Sequence, residues 1–236
     1  MIIGPVIHSV ILGYGHRARS GKDTAASIII KERGAEFDIR RYSFASELKA
    51  EVNHNAMKAG GMKNLFADGL RLEGCGYMQE NEELLRLPEW VQMDPSPDMS
   101  DPECPYGKQR SLLQFWGTNL RRSVNENYWL NKVKQRIADE KPQIALITDL
   151  RFLNEVNFIL TYGEVIRIDR PGLPPLSEAH ESELALANYD GWSDIIKNNG
   201  TLNEFKEKVL FSFDMLLSAV PQEHRTEEPK GTVVKV

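Results

Sequence analysis

The sequence predicts an α/β protein built on a parallel sheet covered on both faces. Three observations lead there. Short apolar stretches alternate with longer amphipathic ones, the order of a chain that lays helices over parallel strands. Ile144–Ile147 is a continuous apolar run, as in a strand buried on both faces. Val6–Leu12 runs through a glycine-bearing loop into a helical stretch, which reads as strand, loop, helix.

Taken in order, the first strand is expected over Val6–Leu12, ending at Gly13-Tyr14-Gly15. A helix follows over Asp23–Arg33, with Gly34 as a left-handed stop. Phe37, Ile39 and Phe44 mark a second strand, after which Ser46 caps a helix carrying Leu48 and Val52. Between about residues 60 and 108 the pattern breaks down, with at most a helix over Glu82–Glu89. Five prolines fall between Pro88 and Pro105, and acids strongly outnumber bases. A long irregular stretch of this kind is read as an insertion, acting as a substrate cover or a dimer contact, which leaves a homodimer open.

Order returns at Arg110, where Leu112, Leu113, Phe115 and Trp116 predict a helix up to about Arg122. Asn125 caps the next helix, in which Trp129, Val133 and Ile137 recur every four residues. Beyond the Ile144–Ile147 strand come a helix over Asn154–Tyr162 stopped by Gly163, a strand at Val165–Ile168 and a short one at Ile195-Ile196. Thr201 and Glu204 form a capping box for a last helix with one apolar stripe, Phe205, Val209, Phe213 and Leu217. Residues 1–220 are expected to be one domain and residues 221–236 a loose polar tail.

Composition narrows the function. With 236 residues the chain can bury roughly 70–75% of its unfolded surface without a disulfide or metal staple. A net charge of −5 is a poor start for binding duplex nucleic acid, which takes many Lys and Arg contacts to phosphate. Two cysteines, Cys75 and Cys104, are too few for a disulfide framework, and with His54 they lack zinc-ligand spacing. No stretch reads as a leader or a membrane span, so the expectation is a reduced, cytoplasmic protein.

The strongest local signal is Arg19-Ser20-Gly21-Lys22-Asp23-Thr24, between a strand and a helix. Backbone N–H groups in such a loop form an anion nest, and the helix N-terminus adds its positive dipole end. Lys22 is placed to neutralise the β- and γ-phosphates of a nucleotide. The usual G-x-x-x-x-G-K spacing wants glycine at position 16, where His16 stands; Gly15 is one residue early. Asp23 replaces the usual Ser or Thr and can hold Mg²⁺, which prefers hard oxygen ligands, while Thr24 would serve the α-phosphate.

Asp149, at the end of a buried strand, is either an Mg²⁺-fixing acid or a helix N-cap. Arg121-Arg122, Arg151, Arg167 and Arg170 can grip phosphate or simply be solvated. His180, Ser182 and Glu183 lack a nucleophile elbow and are not read as a triad. Trp116 and Trp129 are read as core.

Together, RSGKDT (Arg19–Thr24), Ser43-Phe44-Ala45 with Leu48-Lys49, Leu113-Gln114 with Gly117-Thr118 and Arg121-Arg122, and Thr148–Phe152 with Asn154-Glu155 resemble the bacteriophage deoxynucleoside monophosphate kinases. His180–Glu183 and Ile195–Thr201 are similar to that family's closing segments, so the resemblance runs from about residue 6 to 210. It implies a five-stranded parallel P-loop core and the reaction ATP + dNMP → ADP + dNDP with Mg²⁺, in the host cytoplasm if phage-encoded. It implies ATP phosphates held by Gly15, Arg19–Thr24 and Arg170, the last as a lid residue, and metal held by Asp23 and Asp149. Lys22, Asp149, Arg151, Arg121 and Arg122 would be catalytic, and Phe44, Lys49, Gln114, Thr118, Arg121, Arg122, Arg151 and Glu155 would bind substrate. Animal phosphomevalonate kinases share part of the pattern. The alternatives are therefore a kinase of another phosphorylated metabolite, of the phosphomevalonate or dephospho-coenzyme A type, or a nucleotide-binding module without transfer chemistry.

Overall fold

The computed structural model describes residues 6–15, 17–59, 70–72, 76–78, 113, 115–173 and 184–219. Expectations for Glu82–Glu89, Gln114, His180–Glu183 and the tail lie outside them, as does the acidic insert apart from two short strands. The chain forms two compact units, one of Met1–Ser43 with Lys134–Val236, the other of Phe44–Val133.

The first unit holds one five-stranded parallel sheet. Its strands are β1 (Val10–Gly15), β2 (Ile39–Tyr42), β5 (Ile144–Leu150), β6 (Gly163–Asp169) and β7 (Asp194–Lys197), in the spatial order β2-β5-β1-β6-β7. The order reverses about β1, which pairs with β5 on one side and β6 on the other. Open parallel sheets bind ligands beyond the carboxyl ends of their strands at such a reversal. Here those ends are Gly15, Leu150 and Asp169.

Alternation along β1 explains the two helical layers. Val10, Leu12 and Tyr14 face a core shared with Ala25, Ala26 and Ile29 of α1 (Lys22–Arg33) and with Phe205, Val209 and Phe213 of α5 (Leu202–Ala219). Gly13 faces the other way, where Ile159 of α4 (Leu153–Leu160) packs against it closely enough to exclude a Cβ. Ion pairs from Arg33 to Asp214 (2.6 Å) and from Lys206 to Glu32 (2.6 Å) join α1 to α5. Both are open to water and salt, so they add little to what the buried stripe supplies. The capping box is present: Thr201 N–H donates to Glu204 Oε2 (2.7 Å), and Glu204 N–H donates to Thr201 Oγ1 (3.3 Å).

Several local expectations are corrected. β1 starts at Val10 and includes Gly13–Gly15, because the glycines pair with β5 and β6 rather than forming the loop. Gly34 has φ −67°, in the right-handed region; its N–H donates to Ile30 O (3.0 Å), and the need for glycine there is the approach of that carbonyl to where a Cβ would sit. β2 ends at Tyr42, so Phe44 opens α2 (Phe44–Ala59) and Ser46 lies in its first turn rather than at its cap. β5 continues through Asp149 to Leu150. Gly163 opens β6 instead of only stopping a helix.

The second unit holds α2, an antiparallel hairpin of β3 (Leu70–Leu72) and β4 (Gly76–Met78), and the segment Phe115–Arg122. That segment is a π-helix, where an ordinary helix was expected. Ser123 N–H donates to Thr118 O (3.0 Å), five residues back. The next helix, α3 (Tyr128–Glu140), starts three residues after Asn125, whose Oδ1 accepts from Asn127 N–H (3.0 Å) in the turn before it. Trp116 and Trp129 are buried, as the core reading expects. Among the described residues no helix is long and apolar enough to cross a membrane.

Candidate active site

Between β1 and α1 the chain turns through residues 17–21. Arg19 (φ 62°) and Gly21 (φ 113°) are both left-handed and flank the fully buried Ser20. Left-handed residues turn consecutive amides inward, the geometry of an anion nest. Gly21 is the N-cap of α1 and brings no capping side chain, so the helix start offers backbone donors and the positive dipole end. Only glycine suits position 21: besides its φ, a Cβ would lie 2.7 Å from Asn198 Nδ2. Asn198 Nδ2 donates to Ser20 O (2.9 Å), tying the loop to the chain leaving β7. Arg170 Nη1 donates to Arg19 O (3.3 Å).

Lys22 folds back along its own loop: Nζ donates to the Arg17 carbonyl and lies 3.5 Å from Ser20 Oγ. Asp23 is exposed; its Oδ1 accepts from Thr148 Oγ1 (2.9 Å) and lies 3.9 Å from Arg41 Nη1. Asp149, near the end of β5 toward the sheet's rim, accepts from Ser43 Oγ (2.8 Å). Two carboxylates with hydroxyls fixing them suit Mg²⁺, which takes one or two protein carboxylates and fills its shell with phosphate oxygens and water. Among the described residues no group of three or more His, Cys, Asp or Glu gathers to hold a metal by protein alone.

The other sequence-predicted residues fall as follows. Gly15 is the last residue of β1, with Trp192 over it: a Cβ would lie 2.5 Å from that ring. Thr24 is exposed in the first turn of α1. Arg151 is half-buried between β5 and α4. Glu155 is buried, and its Oε2 accepts from the N–H groups of Arg151 (2.8 Å) and Phe152 (3.0 Å), capping α4. A cavity of about 450 Å³ beside the loop is lined by Arg17, Arg167, Arg170 and Lys197, with Asp169 and Asn199. Arg167 Nε is 2.5 Å from Asp169 Oδ1, so part of that positive charge is offset.

In the second unit Phe44 is buried, and Lys49, Thr118 and Arg122 are half-buried. Arg121 is buried beside Glu51, a residue that sequence reasoning missed. Glu51 Oε1 accepts from Arg121 Nε (2.7 Å) and Trp116 Nε1 (3.0 Å). Its Oε2 accepts from Tyr128 OH (2.6 Å) and lies 3.1 Å from Lys132 Nζ. Burial pushes the Glu51 carboxyl up, but the bonds from Tyr128, Trp116, Arg121 and Lys132 outweigh it and hold it below the usual glutamate value. The signal that could have found it is its position on α2. Leu48, Glu51 and Val52 share one helical face, so a carboxylate sits in an apolar stripe.

A five-stranded parallel sheet with flanking helices, whose central strand feeds a left-handed turn at a helix N-terminus, defines an α/β protein with a nest-like turn at its rim. Comparison with known proteins finds similarity to nucleotide kinases. Residues 108–209 match the family model for deoxynucleotide monophosphate kinase. A putative deoxynucleotide monophosphate kinase of Acanthamoeba polyphaga mimivirus is 28% identical over 218 residues, covering 87% of this chain and 96% of that protein. The deoxynucleoside-5'-monophosphate kinase of Escherichia phage T5 is 44% identical over 59 residues, 25% of this chain and 21% of that one. Among solved structures, dephospho-CoA kinase from Campylobacter jejuni aligns over 89% of this chain and 98% of its own, at 13% identity and a TM-score of 0.44. The sequence matches support the deoxynucleotide monophosphate kinase family, the one its motifs resemble.

Proposed function

We propose that the chain is a cytoplasmic, ATP-dependent deoxynucleoside monophosphate kinase that transfers the γ-phosphoryl group to a dNMP, giving dNDP and ADP. The observation that carries this reading is the left-handed turn at residues 19–21, at the rim where the strand order reverses, in a chain whose residues 108–209 match that family.

A dNMP brings its own nucleophile, a phosphate oxygen, so the protein's part is to orient two anions and offset their repulsion. On this reading the amides of residues 19–24 hold the ATP phosphates, and Lys22 exchanges its bonds to the loop for the β- and γ-oxygens. Arg170, already bonded to the loop backbone, faces the same phosphates, and the cationic cavity beside the loop takes the rest of the donor nucleotide. Asp23 and Asp149, steadied by Thr148 and Ser43, would hold Mg²⁺, which when bound draws charge from the transferring group. Arg121 and Arg122 receive the acceptor phosphate, where paired guanidinium N–H groups match phosphate oxygens.

The test is the product profile with the four dNMPs and four NMPs at saturating Mg·ATP. The expected result is dNDP and ADP in equal amounts from at least one dNMP; turnover of none sinks the reading.

A further inference from the structure

Four donors from two segments of the second unit meet on Glu51 of α2. Trp116 and Arg121 share its Oε1, and Tyr128 and Lys132 share its Oε2. Trp116 and Arg121 are five residues apart. In an α-helix such residues point about 140° apart and could not share one oxygen. The π-helix closes hydrogen bonds over five residues and so stacks them on one face. Arg121 is also held across its plane, with its guanidinium carbon 4.8 Å from the centroid of the Tyr128 ring, whose hydroxyl bonds the same carboxylate. Carboxylate at the edge and ring at the face together set the guanidinium's position and tilt.

We propose that Glu51 is a positioning residue for the acceptor phosphate: by gripping Nε of Arg121 across the π-helical turn, it holds the guanidinium in the orientation that meets a nucleoside monophosphate. The inference rests on the dNMP kinase reading and on Arg121 as an acceptor ligand. Two arguments carry it. A buried ion pair is a weak device for stability, since its desolvation offsets most of its attraction, so orientation is the better account of this one. And an arginine whose rotamers are already fixed loses less entropy when it binds phosphate, which appears as a lower KM for the acceptor. Glu51 lies outside the stretch matched to the family model, so the match does not assign it this role.

The test compares Glu51→Gln, Glu51→Asp and Lys132→Met in the full chain, measuring kcat and both KM values. Glu51→Gln turns an amide toward donors; Glu51→Asp keeps the charge but falls one methylene short of Arg121. Lys132→Met removes a second cation from the same carboxylate and leaves the Arg121 bond. The expected result is a KM for dNMP raised about tenfold or more in Glu51→Gln and by less in Glu51→Asp. The KM for ATP stays within about twofold, and Lys132→Met leaves both KM values near wild type. An unchanged dNMP KM overturns the inference, as does an equal rise in Lys132→Met or a parallel rise for ATP. If Glu51→Gln does not fold, the dNMP KM of Glu51→Asp decides in its place. A wild-type chain that turns over no dNMP defeats the functional reading and this inference with it. A wild-type chain that does, with Glu51 variants unmoved, defeats the inference alone.

Discussion

The phosphate loop and the Glu51 cluster handle charge by opposite means. The loop is made of backbone: left-handed Arg19 and Gly21, an N-cap without a side chain, and a lysine lying along its own turn. Its backbone donors are contiguous, from residue 17 to 24, with Asn198 and Arg170 bonded to it from outside. The cluster is made of side chains from residues 51, 116, 121, 128 and 132, brought together by α2, a π-helix and α3. A backbone site presents donors whatever the side chains are, and its weak points are the few residues that shape it or add charge. A side-chain site has no such reserve, because removing the Glu51 carboxylate takes an acceptor from four donors at once.

The sharpest way to break this comparison is at Lys22. Lys22→Ala leaves the nest's amides in place and removes the ammonium that lies along the loop, so kcat is expected to fall about a hundredfold or more, the scale for losing a transition-state charge partner. The dNMP KM should move little, the reverse of the Glu51 variants. Steady-state kinetics on both substrates checks it; wild-type turnover in Lys22→Ala would remove Lys22 from the mechanism.

A smaller effect is expected at Asn198. Its Nδ2 bond to Ser20 O ties the loop to the chain leaving β7, and its N–H bond to Asp169 O (2.7 Å) holds that chain to the end of β6. Asn198→Ala keeps the backbone bond and loses the tie, worth about 1 kcal/mol for an ordinary hydrogen bond. The KM for ATP should rise about fivefold, with the dNMP KM unchanged. Paired with Glu51→Gln, this gives opposite substrate signatures from the two regions; an Asn198 variant that raises the dNMP KM instead would blur the contrast.

The same contrast explains what was legible in the sequence. The sheet could be read because Ile144–Ile147 is apolar without interruption and because strands and helices alternate. The loop could be read because its chemistry is local. Strand ends were read less well. Gly13–Gly15 looked like loop, since glycine is a turn signal, yet here it lets Ile159 and Trp192 approach β1. Phe44 looked like strand because an aromatic at an element boundary serves either neighbour. The π-helix was invisible: a 3.6-residue pattern cannot register a five-residue pairing of Trp116 with Arg121. Glu51 was passed over because its meaning lies in partners 65 to 81 positions away, which no local spacing encodes. Glu155 is a substrate residue by resemblance, while its bonds from the Arg151 and Phe152 N–H groups cap α4.

Acid offers the finest comparison, between Glu51 and the exposed cap residue Glu204. The Glu204 carboxyl is held below its usual value first by the Thr201 N–H and then by the Thr201 hydroxyl; Glu51 is lowered by its four donors against the pull of burial. In both, the folded pKa lies below the unfolded one, near 4.3 for glutamate. Each therefore contributes its stability fully above that value and loses it as pH falls through the folded pKa. Thermal melts of Glu51→Gln and Glu204→Gln against wild type at pH 7, 5, 4 and 3 should show a deficit that holds from pH 7 to 5. It should then shrink at pH 4 and 3, as wild type loses the charge the variant lacks. The Glu51 deficit should be the larger, because the Glu204 bonds are open to water and salt. A Glu51→Gln deficit that persisted undiminished at pH 3 would mean that Glu51 acts through shape and not charge, and that the two regions differ less than their geometry implies.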